Sequence, residues 1–431
     1  MKHTLIILLL ISLFGDRCSS EEMPPIPAPE PDVSKPLDPV PNPQPIPILR
    51  SLVVDCDNGL SNVYPCFNYK LVGRATLSEL GSSFANDNWG WTDAETGKEY
   101  VLQGLDNGVA FLDISSPTAI RYIGKLPTAT VNSTWRDIKV YNNHAFIVSE
   151  AADHGLQVFD LTRLRNQVDF QQFTADALLT DFGSAHNIAI NEDTGYAYAI
   201  GAIANERFYF SGGPVFIDIS DPKAPEVRGG YADSSYTHDA HVVIYEGPDA
   251  DYQGREILFG SNSNFGDNNK IVIVDVTNKT NPRLISTTDY SDSGFTHQGW
   301  IDPAQRYFYL GDEEDERQFG NLTRTLVFDV QDLDNPVLHY TYLGATPATD
   351  HNGYIKGDSF YLSNYTAGMR EIDISNIANG QMEEVGYFDT YPEDDSVGYN
   401  GVWNVYPFFA SGFLAISDSN RGLFLVQAIN D

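Results

Sequence analysis

Positive charge is scarce in this sequence. Lysine and arginine number 26 against 59 aspartates and glutamates in 431 residues, a formal net charge of −33. Nucleic acid and anionic membranes are gripped through clustered cations, so neither is an expected partner. The excess acid suits solubility, a salty exterior or a cationic ligand. Apolar runs are scarce too. Residues 4–14, TLIILLLISLF, are too short to span a bilayer, and no other stretch approaches that length. Their proportions are those of an export signal, which predicts residues 1–20 as a signal peptide. Helical spacing is hard to find after residue 50. No GxSxG elbow announces a serine hydrolase. DADYQG, residues 249–254, fails as a calcium loop because its twelfth position is Gly260 where a Glu is needed, and reads as a surface turn.

Cysteine is limited to three residues. Cys56 and Cys66, in CDNGLSNVYPC, are expected to form one short-loop disulfide, since no further Cys could complete a metal site with them. Cys18 stands between the apolar stretch and a Pro-rich spacer, residues 21–50, of extended stiffness. A Cys in that place resembles the lipid-attachment Cys of bacterial lipoproteins, although Asp16 and Arg17 replace the small residues usual before it. Ordinary cleavage after Ser20 is the alternative and would discard it. Either route predicts an exported protein, secreted or held at the cell surface or outer membrane. Membrane association would come only through that anchor.

What the sequence does have is repetition. KIVIVDVTNKTNP, residues 270–282, is echoed by VAFLDISSP, LQVFDLTRL, PVFIDISDP, TLVFDVQDLDNP and MREIDISNI, with a worn copy, LFLVQAIN, near residue 427. The shared aspartates are Asp113, Asp160, Asp218, Asp275, Asp329 and Asp373, spaced 44 to 58 residues apart, and Gln427 takes the last slot. Such a period signals a propeller or an array. Each unit contains four short strands, as in HNIAIN, YAYAIGA, PVFIDIS and PEVRGGYA of the third. The expectation is an all-β, seven-bladed propeller of four-stranded antiparallel blades over residues 51–431. Fourth strands are read at AIRYIGKL, VDFQQFTA, EVRGGYA, RLISTTDY, VLHYTYLG and EEVGYFD. Blade seven lacks one, and NYKLVGRATL, residues 68–77, is expected to supply it and close the ring. The repeated Asp is read as a turn cap accepting backbone N–H groups.

First strands should line the central channel. Aligning their starts (NDNWGW, TWRDIKV, SAHNIAI, THDAHVV, THQGWI, TDHNGYI and YNGVWNV) gives a column of Asn88, Arg136, His186, His238, His297, His351 and Gly401. Second strands should end at the same face with Glu150, Asn262, Asp312, Glu313, Asn364 and Asp418. Four imidazoles with nearby carboxylates suit Zn, Fe, Cu or Mn better than Ca or Mg. His186, His238, His297, His351, Asp312 and Glu313 are therefore candidate metal ligands. Asn88, Arg136, Glu150, Asn262, Asn364 and Asp418 are expected as polar residues of the channel mouth. The competing reading is a hydrated ring of histidines tying blade to blade. The acidic run DEEDE, residues 312–316, reads as a solvated loop beside the column.

IVIVDV resembles the LVIVD repeat of bacterial and archaeal surface proteins. More widely, NDNWGWTDAETGKEY, TWRDIKVYNNHAFIVSE, DHGLQVFDLTRL, YTHDAHVVIYEGPD, FTHQGW, DHNGYIKG and NYTAGMREIDISN resemble the choice-of-anchor B family across residues 51–431. That resemblance implies an exported repeat propeller and brings no established activity. Three readings follow: a monomeric binding or interaction module with a small-molecule or protein ligand at the channel face, an exported metalloprotein of oxidoreductase or lyase type, and a purely structural surface protein.

Overall fold

The computed structural model describes residues 44–263 and 269–429; the expected signal peptide, Cys18 and most of the Pro-rich spacer lie outside them. Seven antiparallel sheets, each built on four strands, form the blades of a propeller. The fourth blade is typical, with strands Thr237–Ile244, Glu256–Asn262, Lys270–Asp275 and Arg283–Thr288 in that order from the channel outward. Each blade packs between two others, so its middle strands are buried on both faces. That is why IVIV reads as a continuous apolar run rather than an alternation. Ile257, Phe259, Ile271 and Ile273 of blade four meet Phe308, Leu310, Leu326 and Phe328 of blade five in one such layer. Among the described residues no helix is long and apolar enough to cross a membrane.

The repeated aspartates each end a third strand and cap the turn that follows. Their Oδ1 atoms accept from the N–H two residues on, at Ser115, Thr162, Ser220, Thr277, Gln331 and Ser375, over 2.8–3.1 Å. Six equivalent bonds account for six repeats of one residue.

Ring closure follows the expected route. Tyr69–Ala75 pairs antiparallel with Gly422–Ala428 and is the outer strand of blade seven. The same N-terminal segment also reaches the neighbouring blades. Ile48–Arg50 adds to the outer edge of blade one, and Tyr64–Phe67 adds to that of blade six. Sheet therefore begins within the residues read as spacer. The Cys56–Cys66 disulfide, with S–S 2.02 Å and Cα atoms 5.9 Å apart, closes the loop between these additions.

One strand was misplaced by sequence. VDFQQFTA is not the outer strand of blade two: its Gln171–Gln172 runs parallel to the last strand of blade one, and Ala177–Leu179 completes blade two. The segment's apolar residue Phe173 packs on Phe111 and Phe159, so the pattern of a strand was present but the edge it seeks belongs to the preceding blade.

Candidate functional site

The first strands of blades one, four, five and seven carry register shifts near their starts, between Ala85 and Asn88, Thr237 and Asp239, Thr296 and Gly299, and Val402 and Asn404. A bulge adds a residue and re-aims side chains. His238 and His297 thereby point into the channel. Blades one and seven contribute Asp87 and Trp403 to it, which corrects Asn88 and Gly401 in the ungapped column. Asn88 instead donates through Nδ2 to the carbonyl of Ala415 at 3.1 Å, fully buried between blades. Arg136 borders the channel but its side chain is buried: its Nε donates to the carbonyl of Leu105 and its Nη1 lies 2.9 Å from Nε2 of His154.

The four histidines do come together. Ring centroids are 4.5 Å apart for His186 and His238, 4.3 Å for His238 and His297, and 4.4 Å for His297 and His351. They form an arc across four consecutive blades. Three rings are oriented through Nδ1. That of His186 donates to Glu150 Oε1 at 2.6 Å, that of His238 to the carbonyl of His297 at 2.8 Å, and that of His351 to the carbonyl of Trp403 at 2.5 Å. The two carbonyl bonds put the proton on Nδ1 of His238 and His351 and leave Nε2 as the lone-pair nitrogen, which is how metal-binding histidines are commonly held. His297 has no partner on its buried Nδ1.

Of the candidate carboxylates, Glu313 reaches the arc. Its oxygens lie 3.6 Å from Nε2 of His297 and 3.8 Å from Nε2 of His351, and Tyr365 donates its hydroxyl to Oε1 at 2.8 Å. Asp312 does not reach it. Its carboxylate accepts from Tyr290 Oη and from the N–H groups of Gly294, Phe295 and Glu314. Asn262 and Asp418 end their strands and Asn364 directly follows its own, and all three are buried and bonded to neighbouring loops. Asn262 donates to the Ser234 carbonyl, Asp418 accepts from Thr390 Oγ1, and Asn364 bonds Thr323. The last residue of a second strand sits over its own blade, where it caps loops. Of the residues one step further, Glu150 and Glu313 project to the histidines, whereas Asn364 in the same place bonds Thr323. The expected polar annulus is therefore narrower than the sequence alignment drew it.

Electrostatics reinforces this arrangement. Burial holds His351 down at about 3, and burial with the neighbouring imidazoles keeps His238 and His297 well below the usual range, so all three are neutral at pH 7. Burial also acts downward on His186, but the bond and charge of Glu150 outweigh it and raise that group. Burial pushes Glu313 up to about 8.

On one side the arc opens to a cavity of about 400 Å³ with Trp135, Tyr365, Tyr399 and Trp403 in its wall. On the other the channel narrows to a waist of about 20 Å³. There Lys139 Nζ donates to Asp137 at 2.6 Å and lies 3.4 Å from Asp87, with Asp239 beside them. Burial and the Asp137 charge push Asp239 up to about 7. These groups were missed, although Asp137 and Asp239 each directly follow a member of the aligned column. Beyond the waist lies an aromatic cavity of about 320 Å³ with Trp89, Trp300, Tyr354, Tyr406 and Phe408.

The LVIVD repeat family matches residues 265–289. No curated protein matches this sequence. Among solved structures, the chain is similar to the β-propeller domain of Myceliophteria thermophila Cps50 (Swd1), at 10% identity and TM-score 0.51, over 81% of this chain and 98% of that one. It is also similar to a Bacteroides fragilis protein assigned as a 6-phosphogluconolactonase, at 11% identity and TM-score 0.52, over 81% of this chain and 96% of that one. At such identities these likenesses show the propeller fold alone.

Proposed function

We propose that this LVIVD-repeat propeller is an exported binding module of the choice-of-anchor B type, whose ligand enters the cavity above the histidine arc. The reading includes a transition metal, Zn, Fe, Cu or Mn, held by His297, His351 and Glu313. One observation carries it: a ligand atom from each of these three residues lies within 4.8 Å of the other two. Ligands about 2.0–2.1 Å from a tetrahedral zinc stand roughly 3.3 Å from one another, and His297 Nε2 lies 3.6 Å from Oε2 of Glu313 while His351 Nε2 lies 3.8 Å from Oε1. Both imidazoles are neutral and that of His351 is held with Nε2 free, which favours binding, while Glu313, held up at about 8, must release its proton to the ion. Two nitrogens and one carboxylate leave coordination positions open toward the large cavity, where a ligand could reach the ion. The disulfide supports an oxidising compartment.

Elemental analysis of the purified full chain tests the reading. Near-stoichiometric metal is expected in the wild type, and His297→Ala should lose it while keeping the wild-type circular dichroism. Metal-free wild type after growth with Zn, Fe, Cu and Mn supplied would instead favour a hydrated ring of histidines.

A further inference from the structure

The channel residues of the histidine arc are followed, at a fixed offset along the chain, by a second set beyond the waist. Three residues past His238, His297 and His351 come His241, Trp300 and Tyr354, and three past Trp403 comes Tyr406. Blade one places Trp89 two residues past Asp87. All five line the cavity of about 320 Å³, and Phe408 joins them from just past the first strand of blade seven. Blades two and three contribute Lys139 and Ala189 at the same offset.

The aromatic rings meet at steep angles. Trp89 meets Tyr406 at 67° with 5.1 Å between centroids, Trp300 meets Tyr354 at 71° and 5.0 Å, and Tyr406 meets Phe408 at 77° and 5.4 Å. Rings set near right angles present faces as well as edges, so together they wall a cup. The backbone makes room for that wall, since a Cβ at Gly90 would strike the ring of Tyr406. Trp89, Trp300 and Phe408 keep part of their surface uncovered. A concave apolar site of this size with a few polar groups is typical of small-molecule binding.

The polar groups of the lining favour a cation. The ammonium of Lys139 is matched by Asp137 at 2.6 Å and lies 4.5 Å from the centroid of Trp89, so one ring of this wall already carries an alkylammonium. His241 adds no charge, because its Nδ1 accepts from the N–H of Ile301 at 3.2 Å while its ring stacks on Trp300. Two carboxylates remain, Asp239 and the exposed Glu192. Asp239 accepts from the N–H of Ala240 at 2.6 Å, and among the described residues neither acid makes a direct ion pair. Ring faces are the negative part of an aromatic quadrupole and hold quaternary ammonium groups in aromatic cages. A net charge of −33 draws cations toward the protein as a whole.

We propose that this cavity binds a small organic cation of the quaternary ammonium type, its head against the aromatic wall and its charge met by Asp239. The site lies across the waist from the histidine arc and needs no metal there.

Choline is the probe, and dimethylbutanol, its uncharged isostere with carbon in place of nitrogen, is the comparison. Each is titrated calorimetrically into the full chain at pH 8 with EDTA present, and tryptophan fluorescence is followed in parallel. Saturable one-site binding of choline is expected, with the isostere at least about 10-fold weaker, the worth of a desolvated cation–π contact. Asp239→Asn keeps the side chain's shape and should weaken choline about 10-fold while leaving the isostere unchanged. Trp300→Leu should weaken choline by a similar factor, and Asp239→Asn keeps the test decisive if that variant folds poorly. The absence of saturable choline binding would overturn the proposal. So would equal binding of the isostere, tighter binding of glucose than of choline, or choline binding that either folded variant leaves unchanged.

Discussion

His238 donates its Nδ1–H to the backbone carbonyl of His297, 2.8 Å away, so a side chain of blade four is aimed by the main chain of blade five. The pattern recurs around the channel. Asn187 donates to the carbonyl of His238, His351 to that of Trp403, and Asn404 to that of Asn88. One set of bonds thus joins adjacent blades and orients imidazoles, so the structural and metal readings of the histidines are compatible.

Tyr365 bonds Glu313 through its hydroxyl while its ring packs on His351, 4.8 Å between centroids, so removing the hydroxyl alone makes a discriminating substitution. Tyr365→Phe removes the 2.8 Å hydroxyl donor to Glu313. It should weaken metal binding by about 10- to 100-fold, the usual effect of losing a group that orients a ligand. Competition with a chromogenic chelator measures this, and an unchanged affinity would count against Glu313 as a ligand.

Glu313 also predicts a pH dependence for the metal-free chain. Its folded value, about 8, lies above that of an exposed glutamate near 4.3. Stability linked to the protonated form is complete below the unfolded value and is lost as pH rises through about 8. Glu313→Gln removes that loss. The Tm of the chelated variant relative to wild type should rise between about pH 4.3 and pH 8 and then level off, and a flat difference across that window would contradict the assignment.

The turn-capping aspartates predict the opposite sign. Burial alone would raise Asp160, but bonds from Lys223 and Thr162 hold it at about 2. Its contribution is present above the unfolded value near 3.9 and is lost as pH falls through about 2. Asp160→Ala should cost about 1–2 kcal/mol at pH 7, in line with losing a cap. Denaturant melts should show the gap from wild type closing between pH 4 and pH 2.

Closure by the N-terminal strand is tested by two truncations. Removing residues 21–80 deletes the outer strand of blade seven and should abolish cooperative unfolding, whereas removing residues 21–42 should leave Tm unchanged. Equal melting of the two chains would refute closure by residues 69–75.

Opening Cys56–Cys66 should cost about 2–3 kcal/mol, the loop entropy of a ten-residue separation. Paired Cys56→Ser and Cys66→Ser measures it, and peptide mapping without reductant should recover the linked pair from the wild type.

What the sequence determined by itself was whatever depends on local pattern repeated often enough. Two-sided burial wrote IVIV-like runs, turn chemistry wrote the six aspartates, and their period implied the blades and the role of residues 68–77 as the missing strand. The histidine column was legible for the same reason, because four consecutive blades carrying His186, His238, His297 and His351 offer the same position to the channel. Tertiary structure decided whatever turns on a single residue's offset or on packing between blades. Bulges moved Asp87 and Trp403 into the channel in place of Asn88 and Gly401. One step along the chain separated Glu313, which faces the histidines, from Asp312, which caps a loop. DEEDE looked solvated because charge normally seeks water, but Asp312, Glu314, Asp315 and Glu316 are buried, with Tyr290 bonded to Asp312 and Arg324 to Asp315. Composition records how much charge a chain carries; which charges are shut away from water is settled by neighbours distant in sequence.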